Sequence, residues 1–152
     1  VIAGCAPAAG PGPATGSPGV AVGDWPFVPE EVRIHPLTRL VEPADGPTYV
    51  EARIELLDLR GDGTKGIGLI ELGLFDERGA TGLRRSIDAW RLDLGDLDEN
   101  AARFDPVTRT YLYRLLVPPE VEVFELGPVL YVRYDAADGR SFVDRMELRT
   151  EP

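Results

Sequence analysis

An all-β fold is what this sequence predicts: an antiparallel β-sandwich of about seven to eight strands with one short crossover helix. Three observations point there. Short segments alternate apolar and polar residues with a period of two, the mark of strands with one buried face. Turn-forming clusters such as Pro43–Pro47, Gly61-Asp62-Gly63, Glu77-Arg78-Gly79, Pro118-Pro119 and Asp138-Gly139 separate them. No segment carries the 3.6-residue apolar period over enough length to make a major helix. With 43% hydrophobic and 28% charged residues, the 152-residue chain has the composition of a globular domain, large enough to bury a core without disulfides.

The strands can be justified in order. "VRIHPL" (32–37) reads as the first, with Pro36 suited to an edge position because it has no amide donor to contribute. In "YVEARIEL" the residues Val50, Ala52, Ile54 and Leu56 share a face, opposite Glu51, Arg53 and Glu55. In "IGLIELGLF" the buried set is Ile70, Leu72 and Leu74. "SIDAWRLDL" (86–94) makes a fourth strand. Next, "GDLDENAARFDP" pairs Asp96 with Glu99 three residues on, a capping-box spacing, so Asn100–Phe104 is predicted as one or two helical turns that Asp105-Pro106 stop. This helix falls in the crossover between the fourth and fifth strands. In the fifth, "RTYLYRLLV", Tyr111, Tyr113, Leu115 and Val117 share a face. "VLYVRY" and "FVDRMELR" complete the set, joined by an Asp138-Gly139 hairpin, and their alternation puts Asp144 on the inward side with Phe142, Met146 and Leu148.

Ahead of this domain, assigned to residues 25–152, lies a segment of different character. Residues 1–24 are almost entirely Ala, Gly, Pro, Val, Ser and Thr, too poor in large apolar side chains to offset the entropy of ordering, and are expected to form a disordered tether. Trp25 and Phe27, flanking Pro26, are expected to clamp its end against the domain. The only cysteine, Cys5, stands near its start, and one cysteine excludes an internal disulfide. Ile2-Ala3-Gly4-Cys5 resembles the lipobox of bacterial lipoproteins: an aliphatic residue, two small residues, then cysteine. The resemblance implies cleavage of a signal peptide before Cys5, lipidation of the Cys5 sulfur, and a membrane anchor in the bacterial cell envelope. It also implies that the charged and apolar parts of that signal lie upstream, and residues 1–4 are its remnant. Ala6, in place of the aspartate that signals inner-membrane retention in many lipoproteins, implies the outer membrane. Residues 31–149 are similar in strand pattern to C2-like, immunoglobulin-like and transthyretin-like sandwiches, and "VRIHPLTR" is similar to the first strand of sandwich domains in uncharacterised bacterial lipoproteins. Those families imply architecture and location, not a chemistry.

Charge and residue types narrow the function. A formal net charge of -10 argues against nucleic acid and anionic lipid as direct partners, which require a basic footprint. Nucleophilic catalysis needs a nucleophile, a base and an orienting group, but the only histidine is His35, and Ser17, Ser86 and Ser141 sit in no nucleophile elbow. A single Cys and a single His cannot build a transition-metal site. Oxygen ligands are more plentiful. "DLRGDGTKGIGL" begins like a calcium-binding EF-hand loop, with Asp58, Asp62 and Gly63 at its first, fifth and sixth positions, yet Arg60 and Leu69 occupy the third and twelfth, where ligands are needed. Asp58 and Asp62, or Asp135 and Asp138, are the candidate metal ligands for calcium in the manner of C2 loops, against the alternative that Asp and Gly simply form turns. Asp96, Asp98 and Glu99 are explained by a helix start, which favours negative charge.

The reading that follows is a non-enzymatic, lipid-anchored envelope interaction module with no cofactor, which binds another envelope protein or assists assembly through a sheet face or an edge strand, such as the one beginning at Val32. The alternative is a calcium-, carbohydrate- or lipid-headgroup-binding C2-like sandwich that uses loop carboxylates.

Overall fold

A computed structural model describes residues 27–78 and 84–149. Two antiparallel sheets face each other. The strands are β1 (Glu31–Ile34), β2 (Arg39–Val41), β3 (Tyr49–Leu57), β4 (Gly63–Thr64), β5 (Gly68–Asp76), β6 (Arg85–Asp93), β7 (Phe104–Asp105), β8 (Thr110–Leu116), β9 (Pro128–Ala136) and β10 (Ser141–Glu147), with one helix, α1 (Leu97–Arg103). The first sheet runs β1-β3-β8-β7, with β2 and β4 also on β3; the second runs β10-β9-β5-β6. The predicted all-β sandwich is the fold found: six strands of seven to nine residues and the four-residue β1 answer to the seven predicted segments, and β2, β4 and β7 are short additions.

The alternation read from the sequence is the burial observed. Val50, Ala52, Ile54 and Leu56 of β3, Ile70, Leu72 and Leu74 of β5, Tyr111, Tyr113 and Leu115 of β8, and Leu130, Val132 and Tyr134 of β9 form one core between the sheets. Each buried Leu or Ile contributes about 1.5–3 kcal/mol relative to exposure, so this inner face is what drives the two sheets together.

The first strand, expected over residues 32–37, ends at Ile34, and β2 begins beyond that segment at Arg39. Pro36 starts a turn in which the Thr38 N–H donates to the His35 carbonyl (2.9 Å). The Thr38 hydroxyl then stands in for a strand partner opposite Arg53, donating to its carbonyl (3.2 Å) and accepting from its N–H (3.0 Å). The ladder along β3 therefore passes from β1 to β2 without a gap, although proline has no donor to contribute.

Asp144 faces inward as the alternation requires, and the fold gives it a partner. Its carboxylate accepts from the Ile34 N–H (2.8 Å), which links β10 of one sheet to β1 of the other at the sandwich edge. That edge of β1, expected to be open to a partner strand, is occupied by β10 at this point.

Six segments meet at one end of the sandwich: the residues leading into β1, the β3–β4 hairpin, the β4–β5 loop, α1, the β7–β8 turn and the β9–β10 hairpin. Their arrangement depends on a buried polar cluster. The Asn100 amide donates to the carbonyls of Gly66 (2.8 Å) and Leu94 (2.8 Å), and its oxygen accepts from the Tyr111 hydroxyl (2.8 Å). That hydroxyl accepts from the Gly66 N–H (3.2 Å). The Tyr134 hydroxyl donates to the Ile67 carbonyl (2.9 Å). Gly66 must be glycine here, because a Cβ would lie 2.5 Å from the Tyr134 hydroxyl and 2.7 Å from Leu56 Cδ1. α1 itself starts three residues earlier than predicted. Asp96 caps it, accepting from the N–H groups of Asp98 and Glu99 (3.1 Å each), while Glu99 turns to Arg103 (2.7 Å).

Candidate functional site

The four aspartates expected as possible calcium ligands lie in two hairpins at the same end of the sandwich. Asp58 is buried, and its Oδ1 accepts from the N–H groups of Arg60 (2.8 Å) and Asp62 (3.0 Å), closing the β3–β4 turn around Gly61 at φ 80°. Asp138 accepts from the Arg140 N–H (3.1 Å) and guanidinium (2.9 Å) beside Gly139 at φ 90°. Asp135 accepts from Arg133 (2.9 Å) and from the Ser141 hydroxyl. The Ser141 hydrogen bond is the first cause of Asp135's pKa lying below the ordinary range, and the Arg140 guanidinium does the same for Asp138. The latter guanidinium also reaches Glu30 (2.6 Å). Asp58 and Asp138 act as turn formers. Among the described residues no three His, Cys, Asp or Glu side chains gather in a metal-binding cluster.

His35 sits in the Pro36 turn. Its Nδ1 accepts from the Leu37 N–H (3.1 Å), and its Nε2 lies 4.0 Å from Glu55. The turn thus engages Nδ1, while Nε2 faces Glu55 of β3 beyond hydrogen-bond distance. Burial pushes the hydroxyls of Tyr111 and Tyr113 above the ordinary tyrosine range and that of Tyr134 up to about 12, so all three are neutral hydroxyls near pH 7. Every buried side-chain polar atom among the described residues has a hydrogen-bond partner within the fold.

Chemically distinctive groups collect on the outer face of the second sheet. Strand register places Arg145 of β10, Tyr131 of β9 and Gly73 of β5 in one row. Gly73 leaves room that the Phe75 ring occupies: a Cβ there would come within 2.6 Å of that ring. Phe75 meets Tyr131 edge to face at 5.3 Å. The Arg84 guanidinium lies 4.1 Å from the Tyr131 ring centre and 5.3 Å from that of Phe75, and Arg145 lies 5.6 Å from Tyr131 on its own side. Glu77 joins the set, accepting from the Tyr131 hydroxyl, from Arg145 (2.9 Å) and pairing with Arg84 (3.3 Å). The result is an aromatic pair flanked by two cations and held by one carboxylate. Next to it, Val143 of β10 is exposed.

The outer face of the first sheet is a ladder of ion pairs instead. Arg53 donates to Asp105 (3.0 Å) and Thr108 (3.1 Å) and stands 3.7 Å from Glu51, which Arg39 approaches at 3.6 Å. The N–H of Val107, then Thr108 and Arg53, bring the Asp105 carboxyl down to about 2. Between β2 and the end of β10 runs an open groove of about 620 Å3, lined by Leu37, Arg39, Glu51, Arg53, Met146 and Arg149 among others. Its lining mixes both charge signs with apolar groups and brings no nucleophile beside a base.

The arginine–aromatic cluster was not singled out from sequence. Its signal was present in the alternation: Tyr131 and Phe75 fall on the solvent side of β9 and β5, where an aromatic residue is not required by the core. What sequence could not supply was the cross-strand register that joins them to Arg145. Cys5 and Trp25 lie outside the described residues, as does the rest of the segment 1–26. No helix among the described residues is long and apolar enough to cross a membrane. Comparison with family models, with curated proteins and with solved structures found no match to this chain.

Proposed function

We propose that this protein is a lipid-anchored, non-enzymatic interaction module of the bacterial envelope, tethered to the outer membrane through Cys5, which binds another envelope protein through the outer face of the β10-β9-β5-β6 sheet. The observation that carries the binding face is the cluster of Phe75, Tyr131, Arg84 and Arg145 on a solvent-facing sheet. Tyr, Phe and Arg are enriched at the centres of protein interfaces, the aromatic rings offering large rigid contact area and the guanidinium planar hydrogen bonding and stacking. The Ile2-Ala3-Gly4-Cys5 pattern followed by a Pro/Gly/Ala-rich segment supports the anchor.

Two variants test it. Cys5→Ser should move the protein from the membrane to the soluble fraction of its host, and an unchanged distribution would refute the anchor. Cross-linking and capture from the protein's own envelope should recover a partner with wild type that is lost with Tyr131→Ala and Arg145→Ala. Capture unaffected by both, in variants that melt like wild type, would refute the binding face.

A further inference from the structure

Large apolar side chains are mostly buried in this domain, and the exposed ones are not spread evenly. Leu59 at the tip of the β3–β4 hairpin is 77% exposed, Val107 in the β7–β8 turn 89%, Leu97 in the first turn of α1 66% and Ile67 in the β4–β5 loop 54%. All four stand at one end of the sandwich, three on connections between strands and Leu97 on α1. Ile67 and Leu97 border the same shallow hollow, with Lys65 and Ala101 on its rim. The other exposed large apolar side chains among the described residues are Phe27, Leu37 in the Pro36 turn, and Val143 and Leu116 on the sheets. None of the four loop residues is needed by the core, and each leaves apolar surface in water that a polar residue would not.

This is also the end where the chain leads into the domain. Phe27 lies there, its carbonyl accepting from the Thr64 hydroxyl (2.9 Å). A coil of the length of residues 6–26 has an end-to-end distance on the order of 25 Å. A nine-residue strand such as β3 is roughly 30 Å long. A membrane holding Cys5 is therefore within reach of this end, and the opposite end stands a strand length further away.

We infer that this loop end rests on the lipid surface, with Leu59, Ile67, Leu97 and Val107 dipping into the headgroup region of the bilayer that carries the anchor. This rests on the anchor at Cys5 proposed above. The same end carries Asp62, Asp98 and Glu99 alongside Arg60, Lys65 and Arg109, a near balance of signs that gives an anionic leaflet no basic footprint, so the surface it fits is zwitterionic. The strands then stand along the membrane normal, and the Tyr131 face remains open sideways to a partner.

Because Cys5 is the only cysteine, the full chain can be coupled through it to a maleimide lipid in phosphatidylcholine vesicles with brominated acyl chains. In a Trp25→Phe, Trp90→Phe background, a tryptophan introduced as Leu97→Trp or Val107→Trp should be quenched about twofold more than one introduced as Val143→Trp on the sheet face, as insertion at the interface requires. Equal quenching at the three positions overturns the proposal. So does self-association of the uncoupled chain that Leu97→Asp abolishes, since the patch would then serve a second copy. The anchor is supplied chemically here, so this failure is distinct from that of the anchor itself. Cys5→Ser leaving the host distribution unchanged removes the premise, and with it the proposal, whatever the vesicles show.

Discussion

Asn100→Ala should strongly destabilise the loop end of the sandwich. The side chain is buried, and its loss removes the donor to the Gly66 and Leu94 carbonyls and the acceptor of the Tyr111 hydroxyl. At about 1–1.5 kcal/mol per buried hydrogen bond, the deletion costs about 3–4 kcal/mol. Alanine's better helix propensity returns about 0.5 kcal/mol, since Asn100 is in α1. The net loss of about 3 kcal/mol is a large share of the 5–15 kcal/mol typical of a whole domain, and corresponds to about 12 °C in Tm for a domain of this size. Urea denaturation and calorimetry would measure it. Tyr111→Phe removes one bond of the same cluster, so the double variant should lose less than the sum, by about 1 kcal/mol. A loss for Asn100→Ala below about 1 kcal/mol, or strict additivity with Tyr111→Phe, would show that the cluster does not hold the loops together.

Three other outcomes follow from the same contacts. Gly66→Ala should destabilise by about 1–3 kcal/mol through overpacking against Tyr134 and Leu56, whereas Gly139→Ala, with open space around it, should lose only the roughly 1 kcal/mol of its positive φ; equal Tm shifts for the two would contradict this. Asp144→Ala should cost about 1–2 kcal/mol and raise hydrogen exchange at the Ile34 amide more than at amides inside β3, which NMR exchange rates can resolve. Asp105 has a folded pKa of about 2, below its ordinary 3.8, so its contribution is complete above pH 3.8 and is lost as pH falls from there towards 2. Tm measured from pH 5 to pH 2 should therefore fall less steeply for Asp105→Asn than for wild type, and parallel curves would remove Asp105 from the acid response.

Much of the architecture was legible in the sequence because it follows from local pattern. A period of two reports which side chains share a face wherever one face is buried, and that held along β3, β5, β8 and β9. Asp-Gly and Pro-rich clusters report turns because few residues tolerate their backbone angles. Asp96 reports a helix start because its carboxylate reaches the next amides. Asp144 was legible only as an oddity. Its position on the inward face came from alternation, while its partner, Ile34, lies far away in the chain on the opposing sheet.

The candidate surfaces were less legible for the same reason. Phe75, Tyr131, Arg84 and Arg145 come from separate segments, and only the register of β5, β9 and β10 makes them one cluster. Leu59, Ile67, Leu97 and Val107 are scattered in the sequence, and come to one end of the sandwich because the four connections that carry them lie there, Ile67 and Leu97 bordering one hollow.

The sequence by itself therefore determined the all-β class, the strand faces, the turns and the cap of the helix, since each depends on neighbours within a few residues. The tertiary structure alone decided which strands pair, that Asn100 joins three segments, that Asp144 meets Ile34 across the sheets, and where aromatic and apolar groups collect outside the core. Those depend on non-local pairing of strands, whose energy comes from contacts between residues that no local pattern brings together.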